Sequence, residues 1–242
     1  DTPAFIANRV GVYSMMALFH LINEMGLTVE EVDKLSGPVL GRPKSATFRT
    51  GDVVGLDTLV HVANGVKDSC PKDEENDQFK LPAYINKMVE NGWLGSKSKQ
   101  GFYKKEVNDG KKEILSLNLK TLEYEPKSEV NFPIFAQTKA IEDLAERTKM
   151  LFADKGKAGE FYRKAFAGLF AYVTNRMPEI SDELYKIDDA LKAGFGWELG
   201  PFETWDILGL KRFLEVVKAN GKTVAPWIEE MLSNGHESFY KV

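Results

Sequence analysis

One phrase occurs twice in this chain. Val32-Asp33 leads to Gly41 and on to Phe48-x-Thr50-x-Asp52-Val53-Val54-Gly55-Leu56, and Ile187-Asp188 leads to Gly196 and on to Phe202-x-Thr204-x-Asp206-Ile207-Leu208-Gly209-Leu210. The Asp-to-Gly step is eight residues in both copies, and the Asp-to-Phe step is 15 in the first and 14 in the second. Self-similarity of this kind restricts the fold to arrangements that hold two copies of one helical unit. A length of 242 residues fits one large domain or two small ones, and the repeat selects two. The expected division is 1–130, carrying a β-ribbon, and 131–242, a degenerate second copy.

Hydrophobic spacing fills in the elements. Val10, Tyr13, Ala17, Leu21 and Met25 recur at three- and four-residue steps, which predicts a helix over Phe5 to Met25, ended by Gly26. Thr28-Val29-Glu30-Glu31 has the form of a capping box, and Gly37-Pro38 stops the short helix that follows. A loop from Gly41 opens a helix that Asp57 to Ala63 continues, and Ala83 to Asn91 form another. Phe102-Tyr103, Ile114 to Leu117 and Leu122 to Tyr124 read as short strands, with Asn108-Asp109-Gly110 as a hairpin turn. From Gln137 the pattern is helical again: Ala140 to Phe152, Ala158 to Asn175, Asp188 to Ala193, one helix over Phe202 to Ala219, and a last one from Pro226. The fold class expected is mainly α, two related helical domains plus a small β-ribbon.

Composition excludes more than it assigns. A net charge of −4 argues against a nucleic-acid surface. No apolar run is expected to reach the roughly 18–20 residues of a membrane span, and Asp1-Thr2-Pro3-Ala4 lacks a basic leader. The lone Cys70 rules out an internal disulfide and suits a reducing cytoplasm, the expected location. The first residue is Asp1 and not Met, which reads as a piece of something longer. His20, His61 and His236 show no metal-ligand spacing, there is no G-x-G-x-x-G, P-loop or H-E-x-x-H, and packing explains each histidine. A nucleophile pair of Cys70 with a histidine would need a thiol-activating environment that a polar loop does not supply. Asp33, Asp188, Asp52 and Asp206 recur at matched places, which fits caps and turns, since a catalytic duty is seldom needed twice. Asn8 lies at the first turn of a long helix, where an amide either caps the helix or points at a ligand beyond its end.

Pro3-Ala4-Phe5-Ile6-Ala7-Asn8-Arg9, then Gly41-Arg42-Pro43-Lys44-Ser45-Ala46-Thr47-Phe48-Arg49-Thr50 and Asp52-Val53-Val54-Gly55-Leu56-Asp57, resemble the C-terminal domain of the 3-hydroxyacyl-CoA dehydrogenases. Gly95-Ser96-Lys97-Ser98-Lys99-Gln100-Gly101-Phe102-Tyr103 is similar to the segment that ends that domain, and Gly200-Pro201-Phe202 to its glycine–proline–phenylalanine turn. The resemblance implies a fold like the C-terminal domain of 6-phosphogluconate dehydrogenase, in the tandem arrangement of multifunctional fatty-acid oxidation proteins. It implies a parent enzyme that oxidises 3-hydroxyacyl-CoA to 3-oxoacyl-CoA with NAD, whose Rossmann domain holds the cofactor and the catalytic His and Glu. That domain would lie upstream of Asp1, so this segment is expected to bind no NAD and to be inactive alone. Some family members also carry an enoyl-CoA hydratase domain. The residue implied at the substrate is Asn8; Arg42, Lys44 and Arg49 either meet CoA phosphates or lie in a solvated loop.

Asn175-Arg176 echoes Asn8-Arg9, but it falls near the end of its helix and not at the beginning. The second copy is therefore expected to pack and not to bind substrate, forming an internal pseudo-dimer with the first. A reading from another class is a freestanding helical protein-interaction module, which paired helical units also describe.

Overall fold

A computed structural model describes residues 3–108 and 110–241. The chain divides into two compact units. The middle unit holds residues 15–39 and 43–130; the split unit holds residues 1–14, 40–42 and 131–242. The first helix, α1 (Phe5–Met25), gives its opening residues to the split unit and the rest to the middle unit.

In the middle unit α1 is followed by α2 (Val29–Ser36), whose capping box is complete. Thr28 Oγ1 accepts from Glu31 N at 3.2 Å, and Thr28 N donates to Glu31 Oε2 at 2.8 Å. Next come α3 (Phe48–Val54), α4 (Leu56–Ser69) and α5 (Ala83–Glu90). Three antiparallel strands in sequence order close the unit: β1 (Tyr103–Asn108), β2 (Lys111–Leu117) and β3 (Tyr124–Pro126). The turn between β1 and β2 includes Asp109, which lies outside the described residues. An aromatic cluster of Phe19, Phe48 and Phe102 makes the core; all three are essentially inaccessible. Burying each such ring stabilises the unit by about 1.5–3 kcal/mol.

The split unit continues with α6 (Pro133–Thr138), α7 (Leu144–Ala153), α8 (Lys157–Asn175), α9 (Leu184–Phe195), α10 (Pro201–Leu208), α11 (Leu210–Ala219) and α12 (Pro226–Ser233). Its core is again aromatic, with Phe170 stacked on Trp205 at 4.8 Å and Phe202 packed edge-on against Phe239 at 4.9 Å.

Several expectations change. Asp57 to Ala63 do not continue α3, and Phe202 to Ala219 is not one helix: both runs break at a glycine, Gly55 (φ 97°) and Gly209 (φ 86°). Positive φ with extended ψ is a conformation other residues rarely adopt, so the chain can turn there and restart a helix. Strand β3 begins at Tyr124 because Leu122 (φ 59°) is still in the turn. Cys70 is not a polar-loop residue. It is buried, and it extends the stripe Leu59, Ala63, Val66 at helical spacing on α4.

The expectation that no apolar run is long enough to span a bilayer is also corrected. By length and composition α1 passes that test, with a mean hydropathy of 1.4, yet 67% of its most apolar 18-residue window is buried inside the fold. A central core helix has the same composition as a spanning one, because both are surrounded by apolar groups.

Candidate functional site

The two copies carry matching pairs of buried carboxylates. In the middle unit Asp33 accepts backbone N–H bonds from Thr47, Phe48 and Arg49 at 3.0, 2.6 and 3.1 Å, and the Tyr103 hydroxyl at 2.8 Å. Asp52 accepts the N–H groups of Phe102 and Tyr103 at 2.8 and 2.9 Å. In the split unit Asp188 accepts from Phe202 N, Glu203 N and the Tyr240 hydroxyl at 2.9, 3.1 and 2.8 Å. Asp206 accepts from Phe239 N and Tyr240 N at 2.8 and 2.9 Å. Each carboxylate takes up orphan N–H groups at a helix start or ties down a Phe-Tyr segment, which is structural work. Burial pushes Asp33, Asp52 and Asp188 up to about 6, against the bonds they accept.

The Phe-Tyr anchor is itself repeated, as Phe102-Tyr103 and Phe239-Tyr240. Reading the sequence did not find the second one. Its signal is faint: Gly101 is replaced by Ser238, and the distance from the anchoring Asp drops from 50 to 33 residues.

Asn8 occupies the fourth position of α1, is exposed, and has no hydrogen-bond partner among the described residues. It therefore caps nothing there, and its amide is available to a ligand. Phe5, one turn earlier, is 79% exposed. The helix under them is gripped on two sides, all within the split unit. On one side Arg9, fully buried, donates from Nε to the Tyr172 hydroxyl at 2.8 Å and pairs with Glu179 at 3.1 Å; Tyr13 stacks on Tyr172 with ring centres 3.7 Å apart. Arg176 holds the other oxygen of Glu179 at 2.8 Å. On the other side the small residues Ala7 and Gly11 meet the end of α9. A Cβ on Gly11 would fall 2.1 Å from the Phe195 ring, and one on Gly194 would fall 2.8 Å from the Ala7 Cβ.

Other candidates do not join this site. Arg42 is not in a solvated loop: its guanidinium lies 3.7 Å over the Trp197 ring and 5.2 Å from Phe166. Lys44 and Arg49 are exposed, with Arg49 over the Tyr103 ring at 6.0 Å. His20 Nε2 lies 3.2 and 3.0 Å from the carbonyls of Gln78 and Lys80, and His61 and His236 are exposed. No group of three His, Cys, Asp or Glu among the described residues could hold a metal ion. Asn175, at the last position of α8, donates to the Thr223 carbonyl at 2.7 Å.

The family described as "3-hydroxyacyl-CoA dehydrogenase, C-terminal domain" matches residues 5–105. A Bacillus subtilis (strain 168) protein named "Probable 3-hydroxyacyl-CoA dehydrogenase" is 43% identical over 99% of this chain, and the match covers 30% of that protein. A Rickettsia prowazekii (strain Madrid E) protein named for the fatty acid oxidation complex trifunctional enzyme is 28% identical over 84% of the chain and 27% of its own length. The chain thus spans less than a third of these curated relatives. The crystal structure of 3-hydroxybutyryl-CoA dehydrogenase from Escherichia coli K12 shares the fold, with a TM-score of 0.58 and 16% identity over 98% of this chain and 61% of that one. Matched segment and relatives together lead to one statement: residues 5–105 of this chain match the C-terminal domain of the 3-hydroxyacyl-CoA dehydrogenases.

Proposed function

We propose that the chain is the substrate-cleft and packing segment of an NAD-dependent enzyme that oxidises 3-hydroxyacyl-CoA to 3-oxoacyl-CoA in fatty-acid oxidation. The observation that carries this reading is the exposed amide of Asn8, without a partner among the described residues, on a helix held on two other sides. In this reading Asn8 is the catalytic residue of the segment. It hydrogen-bonds the substrate oxygen or fixes the catalytic His, in a geometry set before the reaction. NAD and the proton-accepting histidine belong to a Rossmann domain elsewhere in the parent protein. An isolated segment of this length then binds neither NAD nor acyl-CoA and turns nothing over. The evolutionary units are 1–130 and 131–242, each like the C-terminal domain of 6-phosphogluconate dehydrogenase, and the pair replaces an ancestral dimer. A cytoplasmic setting and an enoyl-CoA hydratase domain in the parent belong to the same reading.

The test is NADH production from a 3-hydroxyacyl-CoA by the full-length protein that carries this chain. Turnover is expected. A folded full-length protein that makes no NADH with any acyl-chain length overturns the reading in favour of a helical interaction module.

A further inference from the structure

Helical geometry gives the second copy a task beyond packing. At about 100° per residue, Ala7 and Gly11 lie on one side of α1, and Arg9 and Tyr13 lie about 200° round from them. Asn8 and Phe5 fall on the arc between. The helix is thus held from two nearly opposite sides, and the side left open is the one carrying the exposed amide. Neither grip comes from the first copy of the repeat. Tyr172 lies near the end of α8, Glu179 and Arg176 follow it, and Gly194 and Phe195 end α9. Gly11 and Gly194 admit no side chain, so α1 cannot turn or slide without losing that contact. The Arg9 guanidinium, having no exposure, cannot swing to water if Tyr172 and Glu179 release it.

We infer that Tyr172 and Glu179 are positioning residues for the dehydrogenase reaction, acting through Arg9 to fix the rotation and height of α1 and so the aim of Asn8. The inference rests on the assignment of Asn8 to the substrate. It makes the second copy, which offers no substrate residue of its own, a requirement for turnover. A shift of about 1 Å in a reacting group costs on the order of a hundredfold in rate, so a partial loosening should be readily measured.

The experiment uses the full-length protein, a 3-hydroxyacyl-CoA of fixed chain length and saturating NAD. Tyr172→Phe keeps the ring stack with Tyr13 and removes only the oxygen that Arg9 bonds. The expected result is a fall in kcat of about tenfold with KM for acyl-CoA unchanged. Adding Tyr172→Phe to Asn8→Ala should cost nothing further, because the group being aimed is gone. Glu179→Gln should act in the same sense as Tyr172→Phe, and Glu179→Asp, which keeps the charge, should recover part of the loss. Urea midpoints of each variant show that the fold is intact. If Tyr172→Phe lowers kcat equally with and without Asn8, or leaves it unchanged in folded protein, the positioning role is wrong. If Asn8→Ala alone keeps full turnover, the assignment of Asn8 is what fails.

Discussion

The carboxylate centre at Asp33 and the one at Asp188 are built alike, and they differ by one hydrogen bond. Asp33 takes three helix N–H groups and a tyrosine hydroxyl, whereas Asp188 takes two and a tyrosine hydroxyl. The residue aligned with Thr47 is Pro201, which has no N–H to give. In exchange, proline at the first helical position presets the backbone of α10, and Glu203 reaches back to Gly200 N at 2.7 Å. The same helix start is thus held mainly by a buried acceptor in the first copy and partly by local capping in the second. A duplicated unit keeps its anchoring points while the means of satisfying them drifts.

That comparison can be broken or sharpened by substitution. The largest effect is expected from removing the acceptors. Asp33→Ala leaves four donors without a partner and should cost about 3–5 kcal/mol; Asp188→Ala leaves three and should cost about 1–2 kcal/mol less, as read from urea midpoints. Equal costs would mean that the third N–H bond contributes nothing.

A smaller effect is expected from pH. The unfolded chain releases these protons near the ordinary aspartate value of 3.8, while Asp33, Asp52 and Asp188 hold theirs up to about 6 in the folded protein. Between those values the native state binds more protons, so stability contributed by these groups falls as pH rises. Wild type should lose stability between about pH 4 and pH 6, and Asp188→Asn should flatten that slope. A wild-type slope of the opposite sign would show that the hydrogen bonds outweigh burial.

Smaller again, Tyr103→Phe and Tyr240→Phe should each cost about 1 kcal/mol, nearly equal because both hydroxyls meet their Asp at 2.8 Å. The smallest effect belongs to Pro201→Ala. It returns an N–H to Asp188 but frees the unfolded chain, and the two changes should cancel to within about 0.5 kcal/mol. A loss much larger than that would assign the second helix start to the proline ring.

Much of this architecture was legible in the sequence. The span of α1, the capping box at Thr28 and the matched aspartates follow from local spacing, and local spacing is what a sequence displays. The breaks at Gly55 and Gly209 were missed because the apolar pattern runs on through them while the backbone does not. The recurrence of Phe102-Tyr103 at Phe239-Tyr240 was missed because only the pairing with Asp52 and Asp206 makes the segments equivalent. Arg42 read as a loop cation because nothing in its neighbourhood announces Trp197, which lies far along the chain. The availability of Asn8 was not legible either: a capping amide and a free one have the same sequence, and only the structure leaves this one without a partner among the described residues.

Asn175 closes the end of α8 on the Thr223 carbonyl, and under the proposed function Asn8 instead faces the substrate, so the two Asn-Arg pairs have parted roles. Kinetics of Asn8→Ala and Asn175→Ala in the full-length protein test this most directly. Asn8→Ala should lower kcat by about a hundredfold with its urea midpoint unmoved, while Asn175→Ala should keep kcat and lose only about 1 kcal/mol of stability. Equal kinetic losses from the two variants, or none from Asn8→Ala, would contradict it.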